Sequence, residues 1–325
     1  AALDAIGPAQ YESLVNMAIS HGNAQSQSIQ QHLNSLRLMN ASGAGEIGRN
    51  AWTQLSGIFG DGHDVSNVPN YDSSSGGFLA GVDLKRTGAV QFGGFIGYQH
   101  TDSKHDSSGK TRVDSASVGA YASYNTGKGF YANAILDAGT NRYDVKRPVV
   151  FGGINRRASS DTAGRQIGST VDFGYDCKIG KFTLTPTVSG QYTYATIDTI
   201  DEASAGALDL KIRKQNADSF RSSAGVRAAY TFNLTKAVAL IPQASLLWQH
   251  EYLDLTRTLH TSLDGGAAGT FGYRTTAPGS DSGYAGAGAA LQVGDRWSIY
   301  ANYNTEFSRS QSGGHSITAG VNVSF

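Results

Sequence analysis

From Trp52 to the last residue, apolar and polar side chains alternate with a period of two, and they keep alternating for about ten residues at a time. In "RWSIYANYNTEF", Trp297, Ile299, Ala301, Tyr303 and Phe307 fall on one face, with Ser298, Asn302, Asn304 and Glu306 opposite. Val90, Phe92, Ile96 and Tyr98 repeat the pattern, as do Ile167, Val171, Phe173 and Tyr175. So do Phe182, Leu184, Val188, Tyr192 and Tyr194, then Val238, Leu240, Ala244, Leu246, Trp248 and Tyr252. Successive side chains point to opposite sides only in a strand. Strands of a soluble domain average about five or six residues; segments twice that length match strands that cross a bilayer.

Twelve such strands are predicted: 51–60, 74–86, 88–103, 112–126, 129–146, 162–179, 181–198, 215–232, 237–254, 279–294, 296–308 and 314–325. Tight connections fall at Thr87-Gly88, Gly127-Lys128, Gly180, 233–236 and Gly294-Asp295, and longer ones at 61–73, 104–111, 147–161, 199–214, 255–278 and 309–313. Short and long alternate, the signature of an up-and-down barrel with turns at one rim and loops at the other. An even strand count brings both ends of the barrel to the short-turn rim. The segment 255–278 has length enough for further β structure, and alternation in "AWTQLSGIF" is poor, so the first strand's limits stay open.

The polar face decides what surrounds the barrel. It carries Asp83, Asp137, Asp172, Asp176, Arg221, Arg227, Glu251 and Glu306 in mid-strand, whereas a sandwich or lipocalin-like barrel keeps its apolar face inside. Charges there need a wet interior and the aliphatic face needs lipid, so the fold class is an all-β, 12-stranded antiparallel transmembrane β-barrel. Equal numbers of acidic and basic residues argue against nucleic acid as a partner. Cys177 stands alone, so no internal disulfide forms. No secretory signal opens the chain, and the expectation is a piece cut from something longer.

The first fifty residues have a different period. "GPAQYESLVNMAISHG" puts Pro8 at a first-turn position, with Tyr11, Leu14, Val15, Ala18 and Ile19 at helical spacing. Gly22-Asn23 is expected to interrupt this helix, which resumes with a thin stripe of Ile29, Leu33 and Leu36 among Gln, Asn and Ser. So polar a helix lacks the apolar face of a normal core and suits a polar wall. Residues 23–40 would span roughly 27 Å, close to the ~25 Å apolar band of such barrels.

Together these stretches resemble the translocator (β-) domains of Gram-negative autotransporters, type V secretion. The features are the polar helix "NAQSQSIQQHLNSLR", a Trp in "NAWTQLSGIFGDG", the Gly-rich "GGFLAGVDL", "FRSSAGVRAAYTF" with "LIPQASLLWQHEY", and the final strand ending on Phe325. The resemblance implies an α-helix threaded through the pore, with residues 1–49 as linker and pore helix and 50–325 as translocator barrel. It implies an outer-membrane anchor that helps export an N-terminal passenger, with no cofactor and no catalysis of its own. Partners would be that passenger, outer-membrane lipid and lipopolysaccharide, periplasmic chaperones and the barrel-assembly machinery, and the barrel would be a monomer. Val321, Val323 and Phe325 resemble the signal which that machinery reads. A porin-like channel gated by the helix, or an outer-membrane hydrolase, is the alternative.

The eight lumen charges are expected to line the pore and meet Gln27, Gln30, Gln31, Asn34 and Arg37 of the helix. Some family members cut themselves at an Asn-Asn pair; here Asn16, Asn23, Asn34 and Asn40 are all unpaired, which speaks against cleavage. His100 and Asp102 share a strand face, but "HTDSKHD" runs into a predicted loop and carries no metal signature. "GSDSG" at 279–283 has the wrong spacing for a nucleophile elbow. Lys146, Arg147, Arg156 and Arg157 make the loop 146–160 basic and available to lipopolysaccharide phosphates, or simply solvated.

Overall fold

The computed structural model describes residues 6–62, 70–84, 89–106, 108–264, 269–276, 279–308 and 312–325. After a 3-10 turn at Ala9–Tyr11 comes one helix, α1 (Glu12–Asn40), and then the barrel. Its strands are β1 (Asn50–Gly62), β2 (Tyr71–Asp83), β3 (Val90–His105), β4 (Lys110–Asn125), β5 (Phe130–Phe151) and β6 (Ile154–Tyr175), followed by β7 (Phe182–Ile197), β8 (Gln215–Tyr230), β9 (Val238–Glu251), β10 (Asp281–Val293), β11 (Trp297–Phe307) and β12 (Ser312–Ser324). Each pairs antiparallel with the next, and β12 closes on β1 from Asn50↔Ser324 to Gly62↔Ser312. The predicted turn at Thr87-Gly88, and parts of the 61–73, 255–278 and 309–313 connections, lie outside the described residues.

The alternation sorts as expected. Leu55, Ile96, Val118, Leu136, Ile167, Val188, Leu246, Ile299 and Ile317 are exposed, while the polar face is buried. That inversion of the usual rule is stable only where the solvent is lipid. Outward aromatics form two belts: Phe182 and Tyr192 on β7, Phe220 and Tyr230 on β8, and Trp297 and Phe307 on β11 are each ten residues apart. At ~3.3 Å per residue and ~40° tilt that separation spans about 25 Å, the height of an apolar band.

Inward aromatics are seated on glycines of the adjoining strand. A Cβ on Gly93 would fall 2.2 Å from Tyr121, and one on Gly320 would fall 2.4 Å from Tyr300. Much of the chain's glycine therefore makes room for lumen rings, which otherwise could not lie flat against the wall.

Three expectations need correction. The stretch 147–161 is not a loop: β5 and β6 run on for 22 residues each as a hairpin above the membrane. Gly152 and Gly153, at φ +51° and +85°, make the two-residue turn whose positive φ values match the strands' twist. Similarly, β3 and β4 extend into the 104–111 connection. The 199–214 connection, expected as a loop, carries Ile200–Asp201 and Leu210–Ile212, and these pair as a second sheet with Thr258–Leu263 and Thr270–Arg274, the further β structure for which 255–278 had length enough. A bridge from Ser159 to Ala203 joins it to β6. The third correction is Gly22-Asn23, which does not interrupt α1.

The hairpin and second sheet build a cap over the pore. Tyr11, Leu14, Val15, Met17, Ala18 and Ile19 are buried there among Val113, Tyr143, Ile197, Ile200, Leu210, Ile212, Leu255 and Leu259. A second apolar cluster closes the short-turn end, where Leu36, Leu38 and Met39 meet Ile47, Ile241, Ala290 and Tyr300.

Candidate functional site

The site is the pore and the helix that fills it. α1 runs 29 residues from the cap to the short-turn rim, roughly 43 Å, longer than the ~30 Å hydrocarbon core of a membrane. Propensity alone would break it at Gly22, but a Cβ there would lie 3.1 Å from Thr193 Cγ2, and Gln191 Nε2 donates to the Gly22 carbonyl at 3.5 Å. The glycine lets the helix approach β7, and the contact outweighs its weak intrinsic helicity.

In the upper pore His21 bonds Ser115 on β4 (3.0 Å) and Thr101 on β3 (2.8 Å), and Gln25 accepts from Ser117 (2.5 Å). Lower down, Gln31 donates to Tyr284 on β10 (3.2 Å) and accepts from Thr318 on β12 (3.0 Å). Asn34 donates to Gln243 on β9 (2.9 Å), and Gln243 in turn donates to Ser35 (3.3 Å) and Asn302 (2.9 Å). Nearly every side of the helix thus meets a wall that can bond it. Many of its polar side chains are bonded to the wall, and Ile29 and Leu33 add a small apolar face against Trp52, Leu79, Phe95, Tyr121 and Ile135, so a Gln- and Ser-rich helix can be at home inside a protein.

The predicted lumen charges all face inward but divide into groups. Asp83 accepts from His32 Nε2 (2.9 Å) and from Tyr121 (2.7 Å). Asp176 pairs with Arg37, whose guanidinium also donates to Asn34 and lies 3.8 Å from the centre of the Tyr131 ring. Arg227 reaches Tyr131 (2.8 Å), Asp172 (3.4 Å) and Gln30 (3.5 Å). Arg221 and Glu306, 3.9 Å apart, border open space beside the helix. Glu251 does not address the helix: it accepts from Ser219 and from the backbone N–H groups of Phe220 and Leu253. Both oxygens of Asp137 are buried with no hydrogen-bond partner among the described residues. Gln27 lines the space rather than bonding the wall.

That space runs along β7–β11 and on past β12 to β1–β3. One cavity of about 70 Å³ and another of about 170 Å³ meet at Gln27, Arg221, Tyr284 and Asn304. The helix itself leans on β5, β6 and β7.

Sequence reasoning overlooked His32, which stacks on Trp52 at 4.4 Å beside Tyr121 and Tyr300. The signal was there: His21 and His32 are the only ionisable groups of α1 between Glu12 and Arg37. It also overlooked the anchor in the cap. Tyr11 donates to Glu202 (2.7 Å), which takes both arms of Arg147 (2.7 and 2.6 Å) and the Leu210 N–H (2.7 Å). Burial, and then the Glu202 carboxylate, hold the Tyr11 phenol well above its ordinary range. Glu12 accepts from Thr276 N (2.6 Å) and Tyr273 (3.3 Å), and Arg257 donates to the Glu12 carbonyl (2.7 Å). Burial raises the Glu12 carboxyl and lowers Arg257 to about 10.

The remaining candidates resolve. Arg147 is buried on Glu202 and faces no lipid; Arg156 donates to Ala205 O (2.7 Å); Arg157 is exposed. His100 faces outward, with its ring nitrogens on Asp114 (2.8 Å) and Asp102 (3.2 Å). Among the described residues no group of three or more His, Cys, Asp or Glu side chains is placed to hold a metal. Val321, Val323 and Phe325 lie on the outward face of β12, and Phe325 N–H bonds Arg49 O (3.1 Å), so the final residues are part of the closed sheet.

Residues 51–304 match the family model described as the autotransporter beta-domain. An extracellular serine protease of Serratia marcescens is 29% identical over 210 residues, covering 64% of this chain and 20% of that protein. The chain spans about a fifth of the length of these curated relatives. The translocator domain of the autotransporter NalP from Neisseria meningitidis has the same fold, with a TM-score of 0.65 at 18% identity, covering 93% of this chain and 98% of that one. The beta domain of the Bordetella autotransporter BrkA gives 0.65 at 20% identity, covering 86% and 100%. An inverted twelve-stranded barrel, a polar helix bonded down its pore and a family match over most of its length make this chain a member of the autotransporter beta-domain family, at home in the bacterial outer membrane.

Proposed function

We propose that this domain anchors its own chain in the outer membrane and carries a covalently attached N-terminal passenger to the cell surface, without catalysing a reaction. Residues 1–49 serve as linker and pore helix, and 50–325 as translocator. The observation that carries the reading is one uninterrupted helix, bonded to the wall along its length, whose N-terminal end lies at the long-loop rim. In outer-membrane barrels that rim faces outside, so whatever precedes the helix is delivered there. Gln30, Gln31, Asn34 and Arg37, with Asp83, Asp176 and Arg227, act as the lumen contacts that hold the helix after transport, while the two apolar clusters limit leakage. Periplasmic chaperones and the barrel-assembly machinery are the partners of its biogenesis, with β12, through Val321, Val323 and Phe325, as the stretch recognised.

The test is planar-bilayer conductance of the refolded chain with and without residues 1–45. Removal should leave a folded barrel and raise single-channel conductance several-fold. Equal conductance would remove the plug from the reading, and high conductance with the helix present would favour a porin. Turnover of a chromogenic ester or phospholipid in detergent would instead mark a hydrolase.

A further inference from the structure

Above the upper aromatic belt the lipid-facing side of β3–β6 turns charged, rung by rung. The first rung reads Tyr98, Ala116, Thr140, Arg165; the second His100, Asp114, Arg142, Ala163; the third Asp102, Arg112, Asp144, Asp161. In the second and third, acids and bases are mixed: His100 meets Asp114 at 2.8 Å, Arg112 meets Asp102 at 3.1 Å and Arg142 meets Asp161 at 2.8 Å, while Asp144 stands directly opposite Asp161. The fourth rung holds bases alone. Lys104 stands directly opposite Lys110, and Lys110 directly opposite Lys146, with Ser159 completing the row.

Like charges at directly opposed positions repel. None of the three ammonium groups has an ion-pair partner among the described residues, although the chain as a whole is neutral. All three lie on the face opposite the buried Thr111, Val145 and Arg147, so they point away from pore, helix and cap. What they meet must stand beside the barrel. Six residues above Tyr98, at ~3.3 Å each and ~40° tilt, put the row about 15 Å above the belt. Phospholipid headgroups extend only ~5–8 Å beyond the hydrocarbon. A phosphate at the height of these lysines must be carried on a taller head.

We propose that the outer face of β3–β5 binds the phosphorylated saccharide head of an outer-leaflet glycolipid, with Lys104, Lys110 and Lys146 as its phosphate contacts. The inference rests on the outer-membrane placement above, and it assigns the lysine row to lipid rather than to the passenger. Phosphate relieves the repulsion within the row.

The full chain, folded in detergent, is titrated with purified rough-type lipopolysaccharide and with the same glycolipid after enzymatic dephosphorylation, and bound glycolipid is read by native mass spectrometry. The variant K104Q/K110Q/K146Q should bind the phosphorylated form at least tenfold more weakly and the dephosphorylated form unchanged. Heat-modifiable gel mobility confirms that the variant is folded. Wild-type affinity in the triple variant would overturn the proposal. So would equal binding of both glycolipids by wild type, or competition by phosphatidylglycerol as strong as by the glycolipid. K128Q/K178Q/K181Q, at the opposite rim, removes equal charge and should bind normally; an equal loss would mean that net charge, not the row, is sensed. Display of an N-terminal epitope on cells is scored separately. Its loss with glycolipid binding intact would count against the translocator reading and leave this one standing.

Discussion

His32 is fully buried against Trp52 and Asp83, in surroundings that leave the carboxylate few other partners. His32→Ala should therefore cost roughly 1–3 kcal/mol, the penalty for stranding a buried hydrogen-bonding group. In a background with Trp248 and Trp297 changed to Phe, Trp52 emission should shift to the red as water enters. Unchanged emission would mean that the stack is not formed in solution. Asp137 should respond in the opposite sense. Its carboxylate is buried with no hydrogen-bond partner among the described residues, so Asp137→Asn removes an uncompensated charge and is expected to raise the temperature of the heat-modifiable gel shift, whereas Asp83→Asn lowers it. In the sequence these two aspartates look alike, because alternation reports only which way a residue points. Whether a donor waits there depends on strands far away in the chain.

The helix shows the same limit at the next scale. Its existence was legible from the period, and its polar surface correctly implied a polar wall. Its continuity was not legible, because Gly22 is a breaker by propensity and a close-packing residue by position. Gly22→Ala should be nearly neutral, a helical gain of about 1 kcal/mol set against a tight Thr193 contact. Gly22→Leu should push α1 off β7 and raise conductance; a silent Leu variant would mean the helix is not held there. The anchor at the helix start carries a pH dependence. Burial raises the Glu12 carboxyl in the folded state, so its contribution is fully present below the ordinary glutamate range and is lost as pH rises through the raised value. Protection of residues 6–20 from protease should decline over that window, and Glu12→Gln should flatten the profile.

At the scale of the whole molecule, the pore has a largely polar middle, with one apolar patch where Ile29 and Leu33 meet Trp52, Leu79 and Phe95, held between two apolar clusters. The upper seal draws on the 199–214 connection, which reads as a loop in sequence, and on the β structure for which 255–278 had length enough. Leu14→Asp places a charge in that cluster and should open the extracellular end, raising conductance while the barrel keeps its heat-modifiable mobility. An unaltered conductance would assign the barrier to the polar section instead.

The sequence by itself determined the barrel, its twelve strands, which face meets lipid and the polar character of the pore helix. Those follow from side-chain period and transfer free energy, which are local quantities. Only the tertiary structure decided that the helix runs unbroken through Gly22, that Arg147 is buried on Glu202 and not offered to lipid, and that three lysines share one rung. Each of those depends on strand register and on which distant residues the closed barrel brings together, a sum of many weak contacts that no short stretch of sequence records.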